Sequence, residues 1–492
     1  MDTLKNYING TWVSSKSTEK LEVLNPASQD VISYVPFHKG TAQDMEDAIN
    51  TAHAAYLEWK DVPTMQRVQP LFKLKTLLEN HKEAIAKLIT NECGKTYAES
   101  LGELQRAIEN VEVACGAYVM TQSEFSENIA NGIDEFMIRQ PLGVCGCITP
   151  FNFPGMIPFW FLPYAIATGN AFVIKPSEKV PMTMQYVFEL IDKELDLPKG
   201  LLSLVHGGKE AVDTMLQHPK VKAISFVGST HVAKYIYAEG AKYGKRVQAQ
   251  GGAKNPVVIM PDADIDMTTK IIIDSVYGCA GQRCLAASVI IPTGDTKREF
   301  TESLVEAAKA RTIGYGLDEG IDMGPVITPE SKHRIEGLIQ RGVDEGANLL
   351  LDGRNPKVSG FENGNFVAPT VLEGVPLGGE LINTEIFGPV MSLVNFDALD
   401  QTIDFINKGT YGNMACIFTQ DGLAARTFRS SVMAGNIGIN IGVAAPVAQF
   451  PFSGWKESFF GDLHGQGRHA IEFFTQTKVV IERWPKSWTR KF

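Results

Sequence analysis

A chain of 492 residues that is 44% hydrophobic and 21% charged has ordinary globular composition and enough length for two or three domains, which excludes a disordered or low-complexity protein. Its formal net charge of -10 opposes nucleic-acid binding, which draws most of its affinity from neutralising phosphates with Lys and Arg, so no nucleic-acid partner is expected. Seven scattered cysteines suit a reducing compartment better than a disulfide framework.

The opening segment MDTLKNYINGTWV carries early charge and polar breaks where a secretory signal would have a basic stretch followed by an apolar one. A cytoplasmic location is therefore expected. From near Leu142, short apolar runs alternate with helical stretches: GVCGCIT, a helix through PFWFLPYAIA, AFVIK, the helix PMTMQYVFELIDKEL, LLSLVHG, VKAISFVG and a helix from Thr230. This alternation predicts parallel βαβ units in a doubly wound sheet of the nucleotide-binding kind. Within it, Met156 to Thr168 is far short of a bilayer span and holds Pro158 and Pro163, so buried structure is expected there and no membrane partner.

A second alternating series starts at NPVVIM and runs through ASVIIPTG, helices from near Thr296 and Pro329, ANLLLDG, MSLVNF, ACIFTQ and GNIGINIG. Two α/β domains with a crossover near Gly252 fit this pattern. The segments Gly132 to Gln140 and Phe473 to Arg483 alternate like strands but belong to neither series. They are expected to form a protruding hairpin arm that a partner subunit buries.

The stretch VYGCAGQRCL holds Cys279 and Cys284, five residues apart. As metal ligands they make only a pair, and the histidines at a ligand-like spacing, His464 and His469, lie far downstream with no finger-like unit between, so no metal is expected. If the preceding helix ran as far as the cysteines, their side chains would diverge by about 140°, which disfavours a disulfide. Cys279, with nothing charged adjoining it in sequence, reads as a buried apolar cysteine. Cys284 follows Arg283 and ends a run of small residues where a chain can turn tightly and a ligand approach, so a stabilised thiolate and an inert thiol both fit the local pattern.

The motifs Pro150-Phe151-Asn152-Phe153-Pro154, Lys175-Pro176-Ser177-Glu178, Phe226-Val227-Gly228-Ser229-Thr230, Gly281-Gln282-Arg283-Cys284 and Glu385-Ile386-Phe387-Gly388-Pro389 stand in the order and spacing of the aldehyde dehydrogenase superfamily, which the whole chain resembles. The resemblance implies an α/β fold with a Rossmann-type NAD domain (1–119 and 141–252), an α/β catalytic domain (253–452) and a small β oligomerisation arm (120–140 and 468–492), assembled as a homo-oligomer, a dimer of dimers. It implies Cys284 as nucleophile and Asn152 as donor to the oxyanion that forms when a thiolate adds to an aldehyde, a kind of contact worth roughly 3–4 kcal/mol. It further implies NAD held by Thr149, Phe151, Lys175, Glu178, Lys179, Ser229, Gly251, Glu385 and Phe387. Lys175 and Glu178 follow a strand at the carboxyl edge, where open α/β sheets bind nucleotides, and Glu178 would repel a 2′-phosphate, which favours NAD over NADP. Gly228-Ser229 opens a helix whose amides can meet a pyrophosphate, although Ala233 stands where many relatives have glycine.

Relatives that hydrolyse their thioester carry a glutamate as general base where this chain reads Gln250-Gly251-Gly252-Ala253-Lys254-Asn255-Pro256. Glutamine takes no proton at neutral pH. With GAKN, FVGS, GQRC and PFSGWKESFFG, the chain looks like the methylmalonate-semialdehyde/malonate-semialdehyde dehydrogenase branch, which uses coenzyme A as cosubstrate; Pro256 stands where close relatives often have histidine. That likeness implies a small anionic aldehyde whose carboxylate is held by Arg283 and Arg106. In sequence alone Arg106, flanked by Glu103 and Glu109, would read as a surface ion-pair residue. The alternative is a hydrolytic NAD-dependent dehydrogenase of another small anionic aldehyde, an acid semialdehyde or a sulfonated one.

Overall fold

A computed structural model describes residues 3–484; residues 485–492 of the expected arm lie outside the described residues. The first apolar series forms an eight-stranded sheet, ordered Thr11–Val13, Asn6–Ile8, Leu202–Leu204, Ala171–Lys175, Val144–Ile148, Val221–Val227, Arg246–Gln250 and Phe459–Phe460. The five strands from Leu202–Leu204 to Arg246–Gln250 are parallel, and runs such as VCGCI and AFVIK are buried at every position. A strand covered on both faces needs apolar residues throughout, which is why these runs do not alternate.

Chain order reverses between Val144–Ile148 and Val221–Val227. At such a switch point the two outgoing connections separate and leave a crevice beyond the carboxyl ends. Thr149 to Asn152 leave one of these strands and Gly228-Ser229 leave the other.

The second series forms a seven-stranded sheet, ordered Asn348–Leu351, Thr370–Glu373, Val390–Leu393, Ala287–Pro292, Asn255–Ile259, Met414–Phe418 and Asn436–Ile439. All pairs but the first are parallel. Phe459–Phe460 returns from beyond this series to pair with Arg246–Gln250 of the first sheet. The two segments outside both series pair antiparallel, Thr475–Arg483 with Ile133–Pro141, and Phe125–Ala130 completes a three-stranded ribbon. Phe125, Ile129, Ile138, Val479 and Ile481 stand exposed on it. Among the described residues no helix is long and apolar enough to cross a membrane.

Two expectations fail locally. PFWFLPYAIA is not one helix: a 3-10 turn covers Ile157–Trp160 and an α-helix covers Leu162–Ala167. Pro158 and Pro163 have no N–H to donate, so each sits at the start of a helical segment, and the second breaks continuity with the first. The helix Ile265–Tyr277 ends before it reaches either cysteine of VYGCAGQRCL. Gly278 turns extended, and Cys279, Ala280 and Gly281 take φ of 52°, 51° and 70°. For non-glycine residues such angles are strained, by roughly 1–3 kcal/mol each, and persist only where surrounding contacts enforce them.

Candidate active site

The Cys284 backbone carbonyl accepts hydrogen bonds from Asn255 Nδ2 and Asn413 Nδ2, each at 2.8 Å. Asn255 also donates to Ala286 O at 2.8 Å and accepts from Met414 N at 3.1 Å. Asn255, Met414 and Ala287 begin three adjacent strands of the second sheet, so Cys284 hangs from that sheet's amino-terminal edge. The sequence reading missed Asn413 altogether and used Asn255 only as part of a motif. A signal was present in the second case: an asparagine opening the apolar strand NPVVI is buried, and a buried amide is there to make hydrogen bonds.

Asn152 meets this loop from the other sheet. Its Nδ2 donates to Gln282 O at 3.0 Å, and Gln282 Oε1 accepts from Ile327 N at 3.0 Å. The loop carrying Asn152 is gripped by a buried ion pair that the sequence did not disclose. Lys95 Nζ contacts Glu103 Oε2 at 2.6 Å, with side chains 2% and 0% exposed. Lys95 also donates to the Asn152 carbonyl and lies 3.9 Å from the Phe153 ring centroid. Glu103 Oε1 accepts from Gly155 N at 2.6 Å and Met156 N at 3.0 Å. Burial opposes the ammonium charge, but Glu103 holds it well above the usual lysine range.

Cys284, Arg283 and Arg106 line one cavity of about 360 Å³, walled on its apolar side by residues including Phe153, Met156, Trp160, Leu285 and Phe452. Arg106 Nη1 pairs with Glu109 Oε2 at 2.9 Å, and its side chain is 43% exposed. Its surface-pair reading and its place at the cavity therefore both hold. Arg283 Nη2 donates to Cys279 Sγ at 3.4 Å. This corrects the reading of Cys279: it is buried, but a guanidinium adjoins it, because the reversed turn at 279–281 brings Arg283 back over the cysteine.

Of the two states left open for Cys284, its surroundings favour the protonated thiol. Burial pushes the Cys284 thiol up to about 12, the Glu385 carboxylate adds to the shift and Arg283 opposes it. An adjacent arginine in sequence does not outweigh withdrawal from water. The histidine pair is taken up in packing, with His464 stacked on Phe459 at 4.0 Å and on His469 at 5.6 Å.

The expected cofactor residues gather along the crevice. Lys175, buried at the end of its strand, contacts Pro176 O at 2.9 Å and Glu178 Oε2 at 3.3 Å. Thr149 N donates to Lys175 O at 3.2 Å. Phe151 packs edge-on against Phe387, ring centroids 5.8 Å apart, with Lys179 Nζ 5.4 Å from the Phe151 ring. Ser229 occupies the N-cap of Thr230–Lys242 without a side-chain capping bond. Gly251 N donates to Ser458 O at 2.8 Å, whereas Gly252 is the glycine that touches Glu385: a Cβ there would lie 2.5 Å from Glu385 Oε2. Glu385 accepts from Ala253 N at 2.8 Å, and burial pushes its carboxyl up to about 7. An uncommitted hydroxyl at a helix N-terminus, a lysine–glutamate pair at the sheet edge and a carboxylate across the crevice fit a dinucleotide. Gln250, buried, has its amide turned to Phe452 O at 3.4 Å, so no carboxylate stands at that position.

Two outcomes follow for this site. Lys95→Met leaves Glu103 buried without its cation, which should destabilise the protein by about 3–5 kcal/mol; equilibrium denaturation reads this as a lower midpoint, partly recovered when Glu103→Gln is added. Because the Cys284 thiol lies near 12, its thiolate fraction grows about tenfold per pH unit through the neutral range. Iodoacetamide labelling of Cys284 should therefore accelerate with pH and show no plateau below about pH 10; a plateau near neutrality would show a stabilised thiolate instead.

The comparisons agree with this arrangement. Residues 12–480 match the aldehyde dehydrogenase family. Among curated relatives, malonate-semialdehyde dehydrogenase 2 of Geobacillus kaustophilus is 46% identical over 484 residues, covering 98% of this chain and 99% of the relative. Malonate-semialdehyde dehydrogenase of Pseudomonas aeruginosa is 45% identical over 487 residues, covering 99% and 97%. The crystal structure of methylmalonate-semialdehyde dehydrogenase from Oceanimonas doudoroffii superposes with a TM-score of 0.96 at 42% identity over 99% of both chains. A Sinorhizobium meliloti structure, complexed with NAD, gives 0.96 at 40% identity over 99% of this chain and 98% of that one. A family match spanning nearly the whole sequence, and relatives 45% and 46% identical over nearly the full length of both chains, make this chain a member of the aldehyde dehydrogenase family.

Proposed function

We propose that this enzyme oxidises malonate semialdehyde or methylmalonate semialdehyde with NAD and releases acetyl-CoA or propionyl-CoA. The observation that carries the reading is the shared cavity, where Cys284 lies beside Arg283 and Arg106. Two arginines lining one cavity can recognise a carboxylate by charge-assisted hydrogen bonds. Cys284, lining the same cavity, is the nucleophile for the aldehyde carbon of a short β-oxo acid so held. The names of the curated relatives are consistent with this substrate class.

Cys284 loses its proton to solvent as Sγ adds to the aldehyde carbon, the C=O π pair moves to oxygen, and the resulting alkoxide is held by Asn152 Nδ2 and the Cys284 backbone N–H. NAD, when bound, supplies the hydride acceptor that lets this adduct become a thioester. The residues that would hold it are Thr149, Phe151, Lys175, Glu178, Lys179, Ser229, Gly251, Glu385 and Phe387. The acyl group on Cys284 carries a carboxylate β to the thioester carbonyl. Its C–C bond breaks to release carbon dioxide while the carbonyl accepts the electron pair, and the α-carbon takes a proton. The thiol of coenzyme A then attacks the carbonyl and Cys284 leaves as thiolate. Gln250 supports thiol over water as the acceptor, because an amide cannot remove a proton from water.

We assign residues 1–119 and 141–252 to NAD binding and 253–452 to catalysis, a division supported by the separate sheets. The ribbon of Phe125–Ala130, Ile133–Pro141 and Thr475–Arg483, within the expected arm, is assigned to assembly as a dimer of dimers, a reading supported by its exposed apolar side chains. Free cysteines throughout suit the cytoplasm.

Without coenzyme A, NADH formation should stop after a burst about equal to the active sites, because hydride transfer completes while deacylation does not. Adding coenzyme A should restore steady turnover; rapid linear turnover without it, yielding free acid, would overturn the coenzyme-A reading. Separately, Arg283→Leu and Arg106→Leu should each lower the ratio of kcat/KM for malonate semialdehyde over propanal by about tenfold or more. An equal loss on both substrates would remove the arginines from substrate recognition.

A further inference from the structure

The Arg283 guanidinium makes one side-chain hydrogen bond, from Nη2 to Cys279 Sγ, although it carries five N–H donors. It lines the cavity beside Cys284, and its direction decides whether the remaining donors meet a substrate carboxylate. Gly278 lies directly beneath it. At φ −56° and ψ 138°, Gly278 has a backbone that any residue adopts, so conformation does not demand glycine there. Space does: a Cβ on Gly278 would lie 2.8 Å from Arg283 Nη2, 3.2 Å from Cζ and 3.3 Å from Nη1. Its three nearest neighbours would all be atoms of one guanidinium.

Cys279 closes the other side. Its N–H donates to Glu99 Oε1 at 2.5 Å, which holds the turn in its positive-φ conformation. Glu99 is itself fixed by the capping box with Thr96 at the start of the helix Tyr97–Cys115, and it lines the same cavity as Arg283 and Arg106. One carboxylate thus ties the helix that carries Arg106 to the turn that carries Arg283.

We propose that Gly278, Cys279 and Glu99 form a seat that aims the Arg283 guanidinium, and that this seat sets the enzyme's preference for aldehydes bearing a carboxylate tail. The inference rests on Arg283 being the carboxylate anchor proposed above. These three are positioning residues: they act on the substrate through Arg283.

The test is Gly278→Ala in the full-length enzyme with NAD and coenzyme A, assayed on malonate semialdehyde and propanal beside Arg283→Leu. The nearest atoms to the added methyl belong to the far end of a flexible side chain, so it displaces the guanidinium with little demand on the fold. The expected result is a fall of about tenfold in the ratio of kcat/KM for malonate semialdehyde over propanal, carried by KM for the semialdehyde. Cys279→Ala, which removes the sulfur acceptor, should lower the same ratio by about threefold, and Cys279→Ser, which keeps an acceptor, should recover it. If Arg283→Leu lowers the ratio while Gly278→Ala and Cys279→Ala leave it unchanged, or lower both substrates equally, the seat is overturned and the anchor stands. If Arg283→Leu itself leaves the ratio unchanged, the anchor is overturned and the seat with it. Should Gly278→Ala not fold, the Cys279 pair decides by the same ratio.

Discussion

The site depends on the Asn255 amide more than on any group that does chemistry. The turn carrying Cys284 follows three residues at positive φ and leaves no regular ladder to take up its carbonyls. A buried carbonyl without a donor costs about 1–3 kcal/mol. Asn255 and Asn413 meet that requirement at Cys284 O, and Asn255 continues to Ala286 O and Met414 N. Satisfying the backbone and fixing the nucleophile are thus one event. The Cys284 backbone thereby takes its position from the amino-terminal edge of the second sheet.

The other half of the site is built on a different principle. The loop bearing Asn152 crosses the switch point of the first sheet, where the crevice opens because no strand covers it. The Lys95–Glu103 pair grips the loop through three backbone groups. A buried ion pair is weak evidence for net stability, since desolvation offsets most of the attraction. Its value here is positional: the charges hold the loop bearing Asn152 against the turn that leads to Cys284.

The two arginines at the cavity have different partners before any substrate arrives. Arg106 is paired with Glu109, Arg283 leans on the Cys279 thiol, and Cys284 is neutral while Glu385 lies nearby. A carboxylate must compete with Glu109 for Arg106 but finds Arg283 with donors to offer.

The two alternating series, the arm segments and the five motifs were legible in the sequence because each depends on local pattern: apolar runs make covered strands, and short motifs mark strand ends. Lys175, Glu178 and Gly228-Ser229 lie where those patterns put them. Lys95, Glu103 and Asn413 were not legible, since their partners lie up to 129 residues away along the chain and nothing in their neighbours encodes the meeting. Cys279 shows the limit most clearly. Sequence placed no charge next to it, and the helix pattern carried no sign of the three positive-φ residues that fold Arg283 back onto its sulfur. The ionisation of Cys284 was decided in the same way, because the arginine beside it is a sequence fact, whereas burial and the approach of Glu385 exist only once the two sheets have come together.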